Sequence, residues 1–213
     1  NSGGQTFTAT TGSILKITSP DGLTTAAAST TAGNVQVPVG SRTFDPGATY
    51  HYIGKASQAT GNALPDGLTN RVIVDLQTDA TNENLNFTTN GLIKFNSSGI
   101  LEIRRGKVFD IPFNGFRNNI AVENEDGESD AQKGNLKMKG GRYVVSGSGT
   151  KPSLAGAYTL SAGTVEFTGT AATKIRTSSP AKQYYNVDVS GTNVETSGKD
   201  FVVNQILKII EPT

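Results

Sequence analysis

The stretch Gly163–Ile175, GTVEFTGTAATKI, repeats in other letters a pattern already written at Ala48–Thr60, ATYHYIGKASQAT, 115 residues earlier. Each opens with a small residue and a Thr. Each then places apolar residues two apart, Tyr50 and Tyr52 in one, Val165 and Phe167 in the other. Each follows with a glycine at the same point, Gly54 and Gly169. A period of two puts alternate side chains on one face, the pattern of a β-strand with one buried side. The same strand written twice suggests a structural layer used repeatedly.

Outward from this pair, strand signals fill the chain and helix signals are nearly absent. No window of eleven or more residues keeps the i, i+3, i+4, i+7 spacing without Gly, Pro or β-branched runs. Alternating runs bounded by Gly, Asn, Asp or Pro predict strands over Ile14–Ile17, Val35–Val39, Thr49–Ile53, Val72–Leu76, Leu92–Phe95, Ile100–Ile103, Asn119–Val122, Leu136–Met138 and Tyr143–Val145. The series continues with Tyr158–Leu160, Val165–Phe167, Val187–Val189, Phe201–Val203 and Ile206–Ile210. One short motif recurs, as GSILKI at Gly12–Ile17, NGLIKF at Asn90–Phe95, SGILEI at Ser98–Ile103 and NQILKI at Asn204–Ile209.

The longer repeat extends the opening pair. Val72 and Val74 lie 115 residues before Val187 and Val189. Phe87, Asn90, Leu92 and Lys94 lie 114 before Phe201, Asn204, Ile206 and Lys208. Self-similarity of this kind marks stacked architectures. The predicted fold is all-β, an elongated parallel β-helix or β-solenoid, with tandem β-sandwich domains as the alternative. Flanking strands that repeat one motif, continuous aliphatic runs such as ILKII, and turns rich in Thr, Ser, Asn and Gly favour the former. The organisation read from the repeat is a first β-unit over residues 1–108, an insertion or irregular layers over 109–140, and a second β-unit over 141–213 continuing beyond this segment.

Composition narrows the function classes. Hydrophobic residues make up 35% and charged residues 17% of the 213, both low for a compact enzyme, with 25 glycines among the rest. A net charge of +1 gives no footprint for nucleic acid or an anionic membrane. The densest basic cluster, Arg104, Arg105 and Lys107, reads as a solvated turn. With no cysteine, disulfides and thiolate metal sites are excluded. No apolar run is long enough to span a membrane as a helix. The start at Asn1 and the strand-like ending predict a piece of a longer chain.

No candidate site reaches the level of chemistry. The single histidine, His51, alternates with Tyr50 and Tyr52 and so points away from them. Its counterpart in the second stretch is Glu166, which favours a plain outward position over a general base. ENEDGESD at Glu123–Asp130 sets Asn124, Asp126, Glu128 and Asp130 around Gly127, oxygen ligands that suit Ca²⁺, but without the full EF-hand spacing. An acidic surface loop is the reading, and the fold is expected to need no calcium. The carboxylates Asp75, Asp79, Glu83, Glu102, Asp110 and Asp188 scatter over different repeats, without the convergence glycoside chemistry needs. Ser146–Gly149 matches no phosphate-binding loop. Tyr50, Tyr52, Tyr143, Tyr184 and Tyr185 could stack on sugars if exposed; at strand spacing they read as partly buried. The expectation is no enzyme, no catalytic, cofactor or metal residue, and no cofactor.

Segments of the chain resemble repeat segments of very large, cysteine-poor cell-surface proteins of Bacteroidota, many of them exported by type IX secretion. The resemblance is carried by Ser19-Pro20-Asp21-Gly22-Leu23, Gly33-Asn34-Val35-Gln36, Arg42-Thr43-Phe44, Gly47-Ala48-Thr49-Tyr50 and Thr60-Gly61-Asn62 with Leu64-Pro65. The stretch YYNVDVSGTNVETSGKDFVVNQILKI at 184–209 resembles the companion strands. It implies an extracellular, outer-membrane-associated structural or adhesive segment, a stalk or display repeat. The runner-up is a carbohydrate-binding or polysaccharide-degrading β-helix module. The implied partners are neighbouring repeats of the same chain, and surface glycans or the secretion machinery, with no nucleic acid and no membrane insertion.

Overall fold

The computed structural model describes residues 6–24, 35, 41–77, 84–89, 93–96, 98–109, 135–152, 154, 156–177, 182–198 and 200–210. Among them no α-helix forms, and sixteen strands do. In chain order these are β1 (Phe7–Ala9), β2 (Ile14–Ile17), β3 (Arg42–Phe44), β4 (Thr49–Tyr52), β5 (Gln58–Ala59), β6 (Arg71–Asp75), β7 (Asn86–Thr88) and β8 (Ile100–Arg105). They continue with β9 (Lys107–Phe109), β10 (Asn135–Val145), β11 (Gly149–Lys151), β12 (Tyr158–Phe167), β13 (Thr173–Ile175), β14 (Gln183–Val189), β15 (Val194–Thr196) and β16 (Val202–Ile209).

The large sheet runs β16-β14-β12-β10-β8-β6-β4-β2, with β5, β7 and β9 attached beside β10. It is curled like half a barrel. Smaller sheets pair β1 with β3, and β11 with β13 and β15. Every described strand pairing is parallel. Described residues thus form none of the antiparallel ladders that a sandwich is built from.

Columns of inward residues make the core, and two of them trace its length. One passes from Leu15 through Tyr50, Val72, Leu101 and Leu136 to Tyr158. The other passes from Gln58 through Phe87, Val108, Tyr143, Val165 and Val187 to Leu207. Their interior members are essentially without solvent contact. The step between neighbours varies from 20 residues, Val187 to Leu207, to 35, Val108 to Tyr143. Unequal connections hide the period from a search for one fixed spacing.

Those columns also settle the opening pair. Tyr50 and Val165 stand in different columns, and the residue in Val165's column from Tyr50's turn of chain is Gln58. The 115-residue likeness therefore records two strands of the same type, not one site repeated. Their shared glycines each accept a close neighbour. A Cβ on Gly54 would lie 2.6 Å from the Gln58 side chain, and one on Gly169 would lie 2.3 Å from the Ser146 carbonyl oxygen.

Several expected runs fuse. Leu136–Met138 and Tyr143–Val145 become the single strand β10, and Tyr158–Leu160 and Val165–Phe167 become β12. Between the halves sit glycines in the left-handed region, Gly141 (φ +67°) and Gly163 (φ +86°). A Cβ on Gly163 would lie 2.5 Å from the Gly140 carbonyl oxygen, so the strand turns its corner only with glycine there. Leu92–Phe95 yields only a bridge, Leu68 to Phe95, within its described part. Asn119–Val122 and most of Val35–Val39 lie outside the described residues. Short strands such as β11, β13 and β15 escaped the sequence reading because three residues are too few to display alternation.

Candidate functional site

Three of the buried tyrosines at strand spacing are interior pillars. Tyr50, Tyr52 and Tyr184 have no solvent contact, and their hydroxyls donate to the carbonyls of Asp45, Thr60 and Arg176, each at 2.8 Å. Burial pushes each hydroxyl's pKa well up. Tyr52 meets Phe87 edge-on with centroids 4.7 Å apart, an aromatic pair that adds to the packing. Tyr143 is buried too, and Tyr185 partly so. The expectation of partial burial was therefore too mild for four of the five. None of those four is available to stack on a sugar.

The outward face carries the chemistry. One outward ladder reads Lys16, His51, Ile73, Glu102, Lys137, across β2, β4, β6, β8 and β10. Glu102 points outward yet its side chain is wholly buried. Its carboxylate meets Arg104 Nε at 2.8 Å and Arg71 at 3.1 Å, with Lys139 at 3.6 Å and Lys137 at 4.0 Å. Burial alone would raise the Glu102 pKa, but the Arg104 hydrogen bond and charge, with Lys137 and Lys139, outweigh it and hold the acid below its usual range.

Asp75 joins this cluster. Arg105 Nε donates to it at 2.6 Å and Arg104 stands 3.9 Å away. Desolvation works against its charge, yet Arg105 and then His51 and Arg104 hold its pKa down. His51 Nε2 lies 3.5 Å from Asp75 Oδ2, too long for a good hydrogen bond. Burial lowers the His51 pKa, Asp75 opposes that, and Arg104 and Lys16 reinforce it. The imidazole is therefore neutral at neutral pH.

A second cluster lies along the same face with the opposite balance. Among the described residues, Arg142 alone serves Glu166 at 3.1 Å and Asp188 at 3.2 Å. Here one cation faces two carboxylates, whereas Arg71, Arg104, Arg105, Lys137 and Lys139 share Glu102 and Asp75.

Two sequence readings change as a result. Asp75 and Glu102, read as scattered, converge on Arg104, because strands 22 to 35 residues apart become neighbours. Arg104 and Arg105 lie in a strand tied to carboxylates, not in a free turn, while Lys107 in β9 sits over the Phe109 ring. His51 and Glu166 do face outward, but each has a charged partner. Ser146–Gly149 forms the turn into β11. Asp79, Glu83, Asp110 and the acidic run Glu123–Asp130, with its calcium reading, lie outside the described residues. The reading missed Arg71, Lys137, Lys139 and Arg142. Their outward parity was legible, but nothing in sequence pairs β6 with β8 or β8 with β10.

Among the described residues, no group of three or more His, Asp or Glu is placed to hold a metal ion, and no helix is long and apolar enough to cross a membrane. The arrangement can hold negatively charged groups from outside and keeps its own acids ionised. No protein-family model, no curated protein and no solved structure matches the chain.

Proposed function

We propose that this chain is a segment of a parallel β-solenoid, serving as a structural and adhesive stalk or display segment of a large secreted bacterial cell-surface protein. The observation that carries the reading is strand β16. The inward column that is dry at Val165 and Val187 continues to Leu207, which is 49% exposed, and Ile209 beside it is 73% exposed. A strand that presents unpaired backbone and inward-type apolar residues suits one more parallel layer. Neighbouring repeats of the same chain would supply it, and stability would then accumulate layer by layer. The resemblance to type IX-exported surface proteins supports an extracellular, outer-membrane-associated location.

Small-angle scattering tests the architecture. A head-to-tail fusion of two copies should keep the cross-section of one copy and lengthen along one axis. Two globules on a hinge would end the solenoid reading. Antibody labelling of intact cells producing the full-length protein tests the location, with label confined to permeabilised cells as the overturning result. The carbohydrate-binding alternative draws on the ionic outer face, since no tyrosine of the interior columns is presented for stacking.

A further inference from the structure

We infer that the outer face of β6, β8 and β10 binds an acidic polysaccharide, one bearing carboxylate or sulfate groups at intervals along its length. This names the ligand class of the adhesive segment and so rests on that reading.

Five cations, Arg71, Arg104, Arg105, Lys137 and Lys139, surround two carboxylates, Glu102 and Asp75. Those seven groups sum to +3, against +1 for the whole chain. Glu102 is the organiser. It gathers four cationic heads from three adjacent strands onto one carboxylate, which can satisfy only part of their charge. The cations keep between 28% and 48% of their side chains in solvent, so their free hydrogens reach outward while Glu102 itself is sealed. Neutral His51 adds no compensating charge and no repulsion. Crowded like charges repel, and an incoming anion relieves that cost.

The layout selects a linear ligand. Three neighbouring strands place the cations over about 10 Å across the strand direction, at roughly 4.8 Å per strand. A chain lying across the strands would meet a cation at each step. Arg71 and Arg104 supply planar guanidinium groups suited to carboxylate or sulfate oxygens. Base-stacking platforms, which single-stranded nucleic acids use, are lacking: the ladder Lys16, His51, Ile73, Glu102, Lys137 contains no Phe, Tyr or Trp. The cluster around Arg142 carries the reverse balance, so attraction is confined to one part of the face.

The test is binding of the intact chain to polygalacturonate, dextran sulfate, neutral dextran, a poly-dT oligonucleotide and anionic phosphatidylserine vesicles, at low and physiological salt. Polygalacturonate or dextran sulfate, or both, should bind, more weakly as salt rises, and whichever binds better tells carboxylate from sulfate. Neutral dextran should not bind. The double variant Lys137→Gln, Lys139→Gln should weaken binding at least tenfold while its circular dichroism matches the parent. The control double variant Lys174→Gln, Lys208→Gln, on strands away from the patch, should bind as the parent does.

The proposal is overturned if neither acidic polymer binds, if the patch variant binds as the parent does, or if the oligonucleotide or the vesicles bind more tightly than both polymers. It is also overturned if replacing Glu123, Glu125, Asp126, Glu128 and Asp130 by their amides strengthens binding tenfold or more, since the patch's anion would then be the chain's own. Scattering by the tandem fusion is unaffected by any of these outcomes, so loss of the ligand and loss of the stalk reading remain distinguishable.

Discussion

Strands β8 and β16 carry almost the same words, ILEI at 100–103 and ILKI at 206–209, and meet opposite fates. In β8, Leu101 and Ile103 are 4% and 0% exposed; in β16, Leu207 and Ile209 are 49% and 73% exposed. Both present their second and fourth residues inward, as the register with Leu136 and Met138 and with Val187 and Val189 shows. The difference is neighbours. β8 lies between β6 and β10, whereas among the described residues β16 has only β14 beside it. Facing is written in the motif, and burial is conferred by whatever stacks on either side.

The largest effect should come from placing a charge in each motif. Ile103→Asp puts a carboxylate into a dry column and should cost more than about 3 kcal/mol, seen as a collapsed denaturation midpoint. Ile209→Asp in the isolated chain should change stability by less than about 0.5 kcal/mol. Equal losses at both sites would mean that β16 is covered in solution. Val74→Asp and Val189→Asp sharpen the same point, since Val74 is wholly buried and Val189 only partly; the first should destabilise far more.

The third residue of the motif offers the next contrast. Glu102→Gln leaves Arg71, Arg104, Lys137 and Lys139 without their shared anion and should cost about 1–3 kcal/mol. Lys208→Gln, exposed at the edge, should be silent within error. Urea titration of both variants compares them directly.

Acid should then separate the two regions. Glu102 and Asp75 have lowered folded pKa values, so their contribution is full above the unfolded values near 4 and is lost as pH falls through the folded values. His51 also has a lowered folded pKa, so the unfolded chain takes up its proton first, and stability starts to fall below about pH 6.5. The melting midpoint should decline from pH 7 to pH 3, slightly below about pH 6.5 through His51, a step absent in His51→Ser, and further below about pH 4 as the carboxylates take up protons. A midpoint flat over this range would contradict the ionic face as described. At pH 7, His51→Ser removes a mostly buried neutral ring at a long 3.5 Å contact and should cost less than about 1 kcal/mol.

How much of this was legible in the sequence follows from range. Alternation at Tyr50 and Tyr52, and at Val165 and Phe167, is a property of adjacent residues, so strand identity and inward parity could be read directly. The near absence of helix followed in the same way. The matched positions of Gly54 and Gly169 could be read too, but not the neighbours they accommodate, the Gln58 side chain and the Ser146 carbonyl. Strands of two or three residues, β5 or β13, carry too little pattern to be seen, and the glycine corners at Gly141 and Gly163 made four expected strands into two.

By itself, then, the amino-acid sequence determined an all-β chain of short, alternating strands with polar turns and no thiol chemistry, because these depend on residue type and spacing of two. Only the tertiary structure decided which strands touch. Parallel neighbours are joined by connections of unequal length, and no local preference encodes a step of 22 residues in one place and 35 in another. The convergence of Asp75 and Glu102 on Arg104, the gathering of Lys137 and Lys139 around a sealed carboxylate, and the burial of one ILxI motif beside the exposure of another are all consequences of cross-strand register. Register is fixed by the summed fit of the interior columns, a property of the whole sheet that no single stretch contains.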